Sequence, residues 1–342
     1  MALDFALSGD EETIAEVFTN FFANESPIDV VRTSEPLGFS PSLWSKLQAM
    51  EVPGMAVGPE AGGGGASLSE MVVVAERLGE ALAPVPLVSH WVASALWPDA
   101  GVVSGDDIAA IALKPADGDG LWHLVPDGAI ADVVVGVDGD DLVGVRNGPP
   151  GSGPANHGGM PLADRSSRVG SRSVLGPASD FTEALDRWRT LTAAVLVGIA
   201  GRAQSLGVAY ILERRQFGRP IGSYQAIQHR MADFPALIDG ARFLTHKAAW
   251  AFDNGLVDGN GTVDVGEGVV TSFAPLASMA YLQAGEAAVQ CTDSSLHYHG
   301  GYGFSLEYDI QLYYRRARAW VVVAGDPARE RLHLADLLWG AS

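Results

Sequence analysis

Glu213-Arg214-Arg215-Gln216-Phe217-Gly218-Arg219-Pro220-Ile221-Gly222 joins two long apolar-periodic stretches, and reading outward from it sets the architecture. Upstream, Asp180 as N-cap and Glu183 three residues on open a helix. Its stripe runs through Leu185, Trp188, Leu191, Val195 and Ile199 to about Arg214. Downstream from Ser223, the residues Tyr224, Ile227, Met231, Phe234 and Ile238 share a second helical stripe. A third helix follows the polar, Gly-rich loop Asn254 to Gly268, and a second informative stretch lies beyond it: His297-Tyr298-His299-Gly300-Gly301-Tyr302-Gly303-Phe304, then Glu307-Tyr308. A fourth helix spans Pro327 to Leu338. Helices this long favour a bundle over residues 179–342.

The amino-terminal part, 1–104, also reads as helical. Ser8 with Glu11 and Ser67 with Glu70 are capping boxes ahead of apolar stripes, and Pro41 to Met50 and His90 to Leu96 supply further helices. Gly62 to Gly65 follows no apolar strand and carries no Lys-Ser or Lys-Thr pair, so it is read as a flexible surface turn rather than a phosphate loop. Residues 105–178 alternate instead: Ile108 to Leu113, Trp122 to Val125, Val133 to Val137 and Leu142 to Val145 are short strands, with Gly139-Asp140 as a hairpin turn and Gly148 to Gly159 as a loop. The fold class is therefore mainly α with a small β middle domain. A formal charge of -19 disfavours nucleic acid and anionic membranes as partners. Leu191 to Gly201 lies between Arg189 and Arg202, too short to span a bilayer, and reads as a buried helix in a soluble, cytoplasmic protein. The single Cys291 is read as a small core residue. His297 and His299 have no carboxylate or cysteine cluster beside them, so no metal is expected.

The 213–222 stretch, continued by Tyr224-Gln225-Ala226-Ile227-Gln228-His229, and the 297–308 stretch closely resemble the acyl-CoA dehydrogenases. The resemblance covers the whole chain and is most specific in its last third. It implies an amino-terminal helical domain, a middle β domain and a carboxyl-terminal four-helix bundle. It also implies FAD, held across a subunit interface with the ring in one subunit and the pyrophosphate and adenosine gripped by its neighbour. By position, Arg214 pairs with the pyrophosphate, Phe217 packs beside it and Gln225 bonds the adenosine portion. Gly300 and Gly301 offer bare backbone to the anion, and His297 stands where the family usually has Gln. These roles are physically sensible: a guanidinium presents a planar fork to phosphate oxygens, and glycines let N–H groups approach unobstructed.

The family's reaction takes a proton from the carbon beside a thioester carbonyl, and so needs a carboxylate base. Counted forward from Gly300, its position falls on Ala324 in Val323-Ala324-Gly325-Asp326. Some members carry the base on the long helix instead, and Trp188 occupies that place. Asp186 and Arg189 match a family pair that contacts acyl-CoA, although three residues apart they equally suit an ordinary ion pair. The middle domain lacks the family's ring cradle: no threonine occurs between Thr33 and Thr182, and the Trp122 stretch Leu121-Trp122-His123-Leu124 bears no hydroxyl.

The pattern is that of a degenerate subunit of a heteromeric α2β2 acyl-CoA dehydrogenase, whose partner subunit carries the catalytic Glu, the ring cradle and the acyl-CoA pocket. Similar split enzymes of actinobacteria act on steroid-derived thioesters. Two alternatives stay open: a homomeric enzyme with a displaced base at Asp326 or Asp186, and a scaffold subunit that never touches FAD.

Overall fold

The computed structural model describes residues 7–257, 263–264, 269–270 and 272–340. Helices α1 (Gly9–Glu25), α2 (Ile28–Ser34), α3 (Pro41–Ala49), α4 (Leu68–Ala81), α5 (Leu87–Leu96) and α6 (Ala100–Ser104) come first. Strands β1 (Ala109–Ile111), β2 (Leu121–Val125), β3 (Val133–Asp138), β4 (Asp141–Arg146), β5 (Ala163–Ser166) and β6 (Ser171–Pro177) follow. Next come α7 (Phe181–Glu213), the short pair β7 (Arg215–Gln216) and β8 (Arg219–Pro220), α8 (Gln225–Asp253), α9 (Phe273–His299), α10 (Ile310–Trp320) and α11 (Pro327–Trp339). The helical, β, helical order is the one the sequence implies. Much of the Asn254 to Gly268 loop, residues 258–262 and 265–268, lies outside the described residues.

Both capping boxes form. Glu11 accepts from Ser8 N at 2.7 Å while Ser8 Oγ accepts from Glu11 N, and Glu70 and Ser67 exchange the same pair of bonds. Helices α2, α6 and α10 and strands β5 and β6 were not expected. Strand β6 carries exposed serines and an exposed arginine, β5 buries Arg165 where an apolar side chain would be expected, and α10 buries Tyr313 and Arg316 along with its apolar residues.

The three sequence segments condense into two compact units, because the long helices α4 and α7 each lend residues to both. One unit holds 23–71 and 84–191. Its sheet runs β1-β3-β4-β6, parallel only between β1 and β3, with Asp138 opposite Asp141 across the Gly139-Asp140 turn. Strands β2 and β5 pair separately. Within this unit Trp122 is fully buried against Gly136, where a Cβ would meet the indole, and its Nε1 donates to Val137 O at 2.9 Å. Arg165 of β5 is also buried and ties the loops together, donating to the carbonyls of Gly128, Ala131 and Gly148. The glycine turn at 62–65 is not flexible: Gly63, Gly64 and Gly65 donate to the Gly58, Gly54 and Val57 carbonyls, and a Cβ on Gly63 would lie 2.6 Å from Gly54 O.

The second unit holds residues up to 22, 72–83 and 192 onward, with α7 to α11 at its centre. The apolar stretch 192–200 of α7 is buried, as is Cys291, whose thiol burial pushes up to about 12. By length and composition alone α7 would suffice to cross a membrane, but here it is a core helix.

Candidate functional site

The arginine turn is built by the end of α7. Arg214 N donates to Tyr210 O, and Ile221 N donates to Arg214 O, each at 2.8 Å, so the chain closes on itself around the arginine. Within that closure Gln216 pairs with Arg219, leaving Phe217-Gly218 as a two-residue hairpin loop. Both lie at positive φ, 52° and 83°, as a type I′ connection requires. Glycine suits this; phenylalanine does not. Phe217 nevertheless sits at the tip, 93% exposed. The Arg219 guanidinium stacks 4.0 Å from the Tyr224 ring, whose hydroxyl donates to Gln216 O, and this fastens the hairpin to the start of α8. Gln225, the first residue of α8, is exposed.

The glycine turn is built by the end of α9. Gly300 N donates to His297 O, then φ +63° and ψ -144° at Gly300 swing the chain into a region that only glycine enters freely. Gly303 folds back so closely that a Cβ would lie 2.6 Å from Leu296 O. Gly300 and Gly301 face open space. His297 is exposed, whereas His299 is buried with Nδ1 2.7 Å from Ser295 O, so the two imidazoles do not converge. Tyr302 and Phe304 are 54% and 68% exposed.

The two turns meet. The Arg214 guanidinium lies 5.9 Å from the Tyr302 ring, and no carboxylate pairs with it among the described residues. Arg214 and Tyr302 thus bring two exposed turns together, one carrying Phe217 and the other following His297 through Gly300 and Gly301, and these offer a planar cation, open backbone and aromatic faces. These are the groups that binding of a pyrophosphate anion calls for.

The positions reserved for a base hold no free carboxylate. Ala324 is half-buried in the turn between α10 and α11. Asp326, two residues on, is the N-cap of α11, its carboxylate accepting from Ala328 N at 2.9 Å. Trp188 is 3% exposed in α7. Asp186, 4% exposed at its side chain, accepts from Arg189 at 2.8 Å, which is the ion pair of one helix face.

Models of the acyl-CoA dehydrogenase amino-terminal and carboxyl-terminal domains match residues 8–101 and 179–338. The acyl-CoA dehydrogenase IpdE2 of Mycolicibacterium smegmatis is 30% identical over 338 residues, covering 95% of this chain and 97% of its own. The chain belongs to the acyl-CoA dehydrogenase family. Among solved structures, the Tcur3481-Tcur3483 steroid ACAD superposes with a TM-score of 0.82 at 25% identity, over 96% of this chain and 97% of that one. The ChsE4-ChsE5 complex of Mycobacterium tuberculosis supplies a chain of the same fold, with a TM-score of 0.84 at 21% identity, covering 99% of this chain and 100% of that one. Membership supports an oxidoreductase acting on CH–CH bonds, with FAD as cofactor.

What the sequence reading missed in this acyl-CoA dehydrogenase is the joint between its two motifs. The rings of Tyr210, His299, Tyr308 and Tyr302 form a continuous cluster linking the ends of α7 and α9. A signal was available: Tyr210 lies one helical turn before Arg214, and His299 directly precedes Gly300.

Proposed function

We propose that this chain is one subunit of a heteromeric, FAD-dependent acyl-CoA dehydrogenase. It contributes the pyrophosphate and adenosine half-site, and a partner subunit contributes the flavin-ring cradle, the acyl-CoA pocket and the catalytic Glu. The observation that carries the reading is the exposed Arg214–Tyr302 patch in a chain whose base positions hold Ala324 and Trp188. Bound flavin supplies the hydride acceptor for desaturation. In this chain Arg214 would clasp the pyrophosphate, Gly301 would turn its N–H toward it with Gly300 leaving the approach open, Gln225 and His297 would hydrogen-bond the adenosine side, and Phe217 would cover them. Asp186 and Arg189, already joined to each other, steady α7. The IpdE2 relative and the steroid ACAD structure favour a steroid-derived thioester as the substrate class, and an α2β2 assembly working in the cytoplasm completes the reading.

The test is to purify the chain alone and with candidate partner subunits, then count flavin. One FAD per pair is expected, with the chain alone colourless and inactive. A yellow, active homomer would overturn the reading.

The displaced-base alternative makes a separate demand on Asp326. Asn caps helices as well as Asp, so Asp326→Asn should leave both the fold and turnover of the complex unchanged, whereas Asp326→Ala should cost about 1 kcal/mol of stability. Loss of turnover in the well-folded Asn variant would restore Asp326 as a base.

Phe217 sits where its backbone is strained and its ring is wet. Phe217→Asn gives the Asn-Gly pair that type I′ turns prefer, so stability of the chain should hold or rise by up to about 1 kcal/mol. Flavin retention by the complex should fall. Thermal unfolding and flavin absorbance measure the two effects separately.

A further inference from the structure

We propose that Tyr210 is a positioning residue: with His299 and Tyr308 it forms an aromatic lock that fixes the Gly300-Gly301 turn relative to the Arg214 guanidinium. The proposal deepens the half-site reading and rests on it. Tyr210 touches both motifs. Its carbonyl accepts from Arg214 N at 2.8 Å, while its ring stacks on His299 with centroids 3.9 Å apart and planes inclined by 21°. Its hydroxyl reaches His299 O at 3.4 Å, the carbonyl of the peptide that leads into Gly300.

His299 is held from its other sides as well. Its Nδ1 lies 2.7 Å from Ser295 O, one turn back in α9, and the Tyr308 ring meets it edge-on at 5.6 Å. Burial holds its pKa below the usual histidine value, which favours a neutral ring with Nδ1–H donating to Ser295 O. Tyr308 also touches Tyr210 at 6.1 Å and Tyr302 at 5.9 Å, and Tyr302 faces Arg214. The contacts therefore run from Arg214 through Tyr302, Tyr308 and His299 to Tyr210, and return to Arg214 through the backbone. A closed ring of contacts fixes relative position where any single link would not.

The lock matters because glycine cannot place itself. Gly300 and Gly301 meet nothing within 4 Å of where a side chain would be, so beyond the Gly300 N bond to His297 O the turn's orientation is set by its neighbours. His299 and Gly303 select it, the latter by folding back so closely that an added Cβ would lie 3.1 Å from the His299 Cβ. Backbone donors aimed at an anion are useful only when they need no reorganisation on binding.

The test measures ADP binding, as the pyrophosphate and adenosine half of the cofactor, to the purified full chain and to four variants. Tyr210→Leu should weaken ADP binding roughly three- to tenfold, the loss set by an aromatic pair. Tyr210→Phe keeps the stack and should restore wild-type binding to within about twofold. Tyr308→Leu, at a half-buried edge of the cluster, repeats the test should Tyr210→Leu fold poorly. Arg214→Ala reports on the half-site itself. If Tyr210→Leu and Tyr308→Leu fold and bind ADP like wild type while Arg214→Ala binds weakly, the lock is wrong and the half-site stands. Failure of Tyr210→Phe to rescue also defeats the lock. If wild type binds no ADP, or binds it no better than Arg214→Ala, the half-site falls and the lock falls with it.

Discussion

Arg214→Ala should release the flavin from the assembled enzyme while leaving the assembly folded. A guanidinium clasping phosphate makes charge-assisted, two-pronged hydrogen bonds, and losing them weakens binding by about 3 kcal/mol, roughly a hundredfold. Few other single changes at this patch should approach that. The folded chain should hardly notice the loss: Arg214 is exposed, has no carboxylate partner among the described residues, and lies beside the Tyr302 ring. Arg214→Lys separates shape from charge, since it keeps the cation and forfeits the fork, and should fall between wild type and Ala. Rising salt should weaken the Lys variant more than wild type, because a point charge relies on the long-range attraction that ions screen. Flavin absorbance per complex after gel filtration reads all three. Undiminished flavin in Arg214→Ala would leave the scaffold alternative standing.

The elements that cap themselves were legible in advance. The two capping boxes, the Gly139-Asp140 hairpin and the long stripes before and after residues 213–222 each announce themselves within a few residues, since their chemistry is local. Strands β5 and β6 were not legible because their pairing partners lie far along the chain and their faces are partly wet. At the site, the resemblance pointed to Arg214, Phe217 and the paired glycines; Arg214 meets Tyr302, which follows those glycines in the chain. What the residues could not reveal was that Phe217 is a strained hairpin tip, or that Asp326 spends its carboxylate on Ala328 N. The Tyr210–His299 stack joins residues far apart in sequence, and no local pattern encodes such a meeting. The glycines inside α7 were equally silent, for a lone glycine in a helical stripe reads only as a slight weakness.

Those glycines carry the largest expected effect on the fold. Gly198 of α7 faces α4 so closely that an added Cβ would overlap the Glu76 carbonyl and lie 2.7 Å from Glu80 N. The contact is reciprocal, because a Cβ on Gly79 of α4 would lie 2.8 Å from the Val195 carbonyl carbon. Each helix thus presses a bare Cα against the other's backbone, and a backbone cannot rotate aside as a side chain can. Gly198→Ala must part the helices, at a cost of about 3 kcal/mol or more, which lowers the melting temperature by roughly 5–10 °C. Gly201, one turn further along the same helix, has nothing within 4 Å of its Cβ position, so Gly201→Ala should gain up to about 1 kcal/mol from helix propensity alone. Gly207 lies between these extremes, since its Cβ would meet the Ser295 side chain rather than main chain. The expected order of melting temperatures is therefore Gly201→Ala highest, Gly207→Ala next and Gly198→Ala lowest. Equal melting of the first and last would show that α4 and α7 do not touch as described. Because α7 carries Tyr210 and leads directly into Arg214, flavin retention should fall in Gly198→Ala along with stability, and hold in Gly201→Ala.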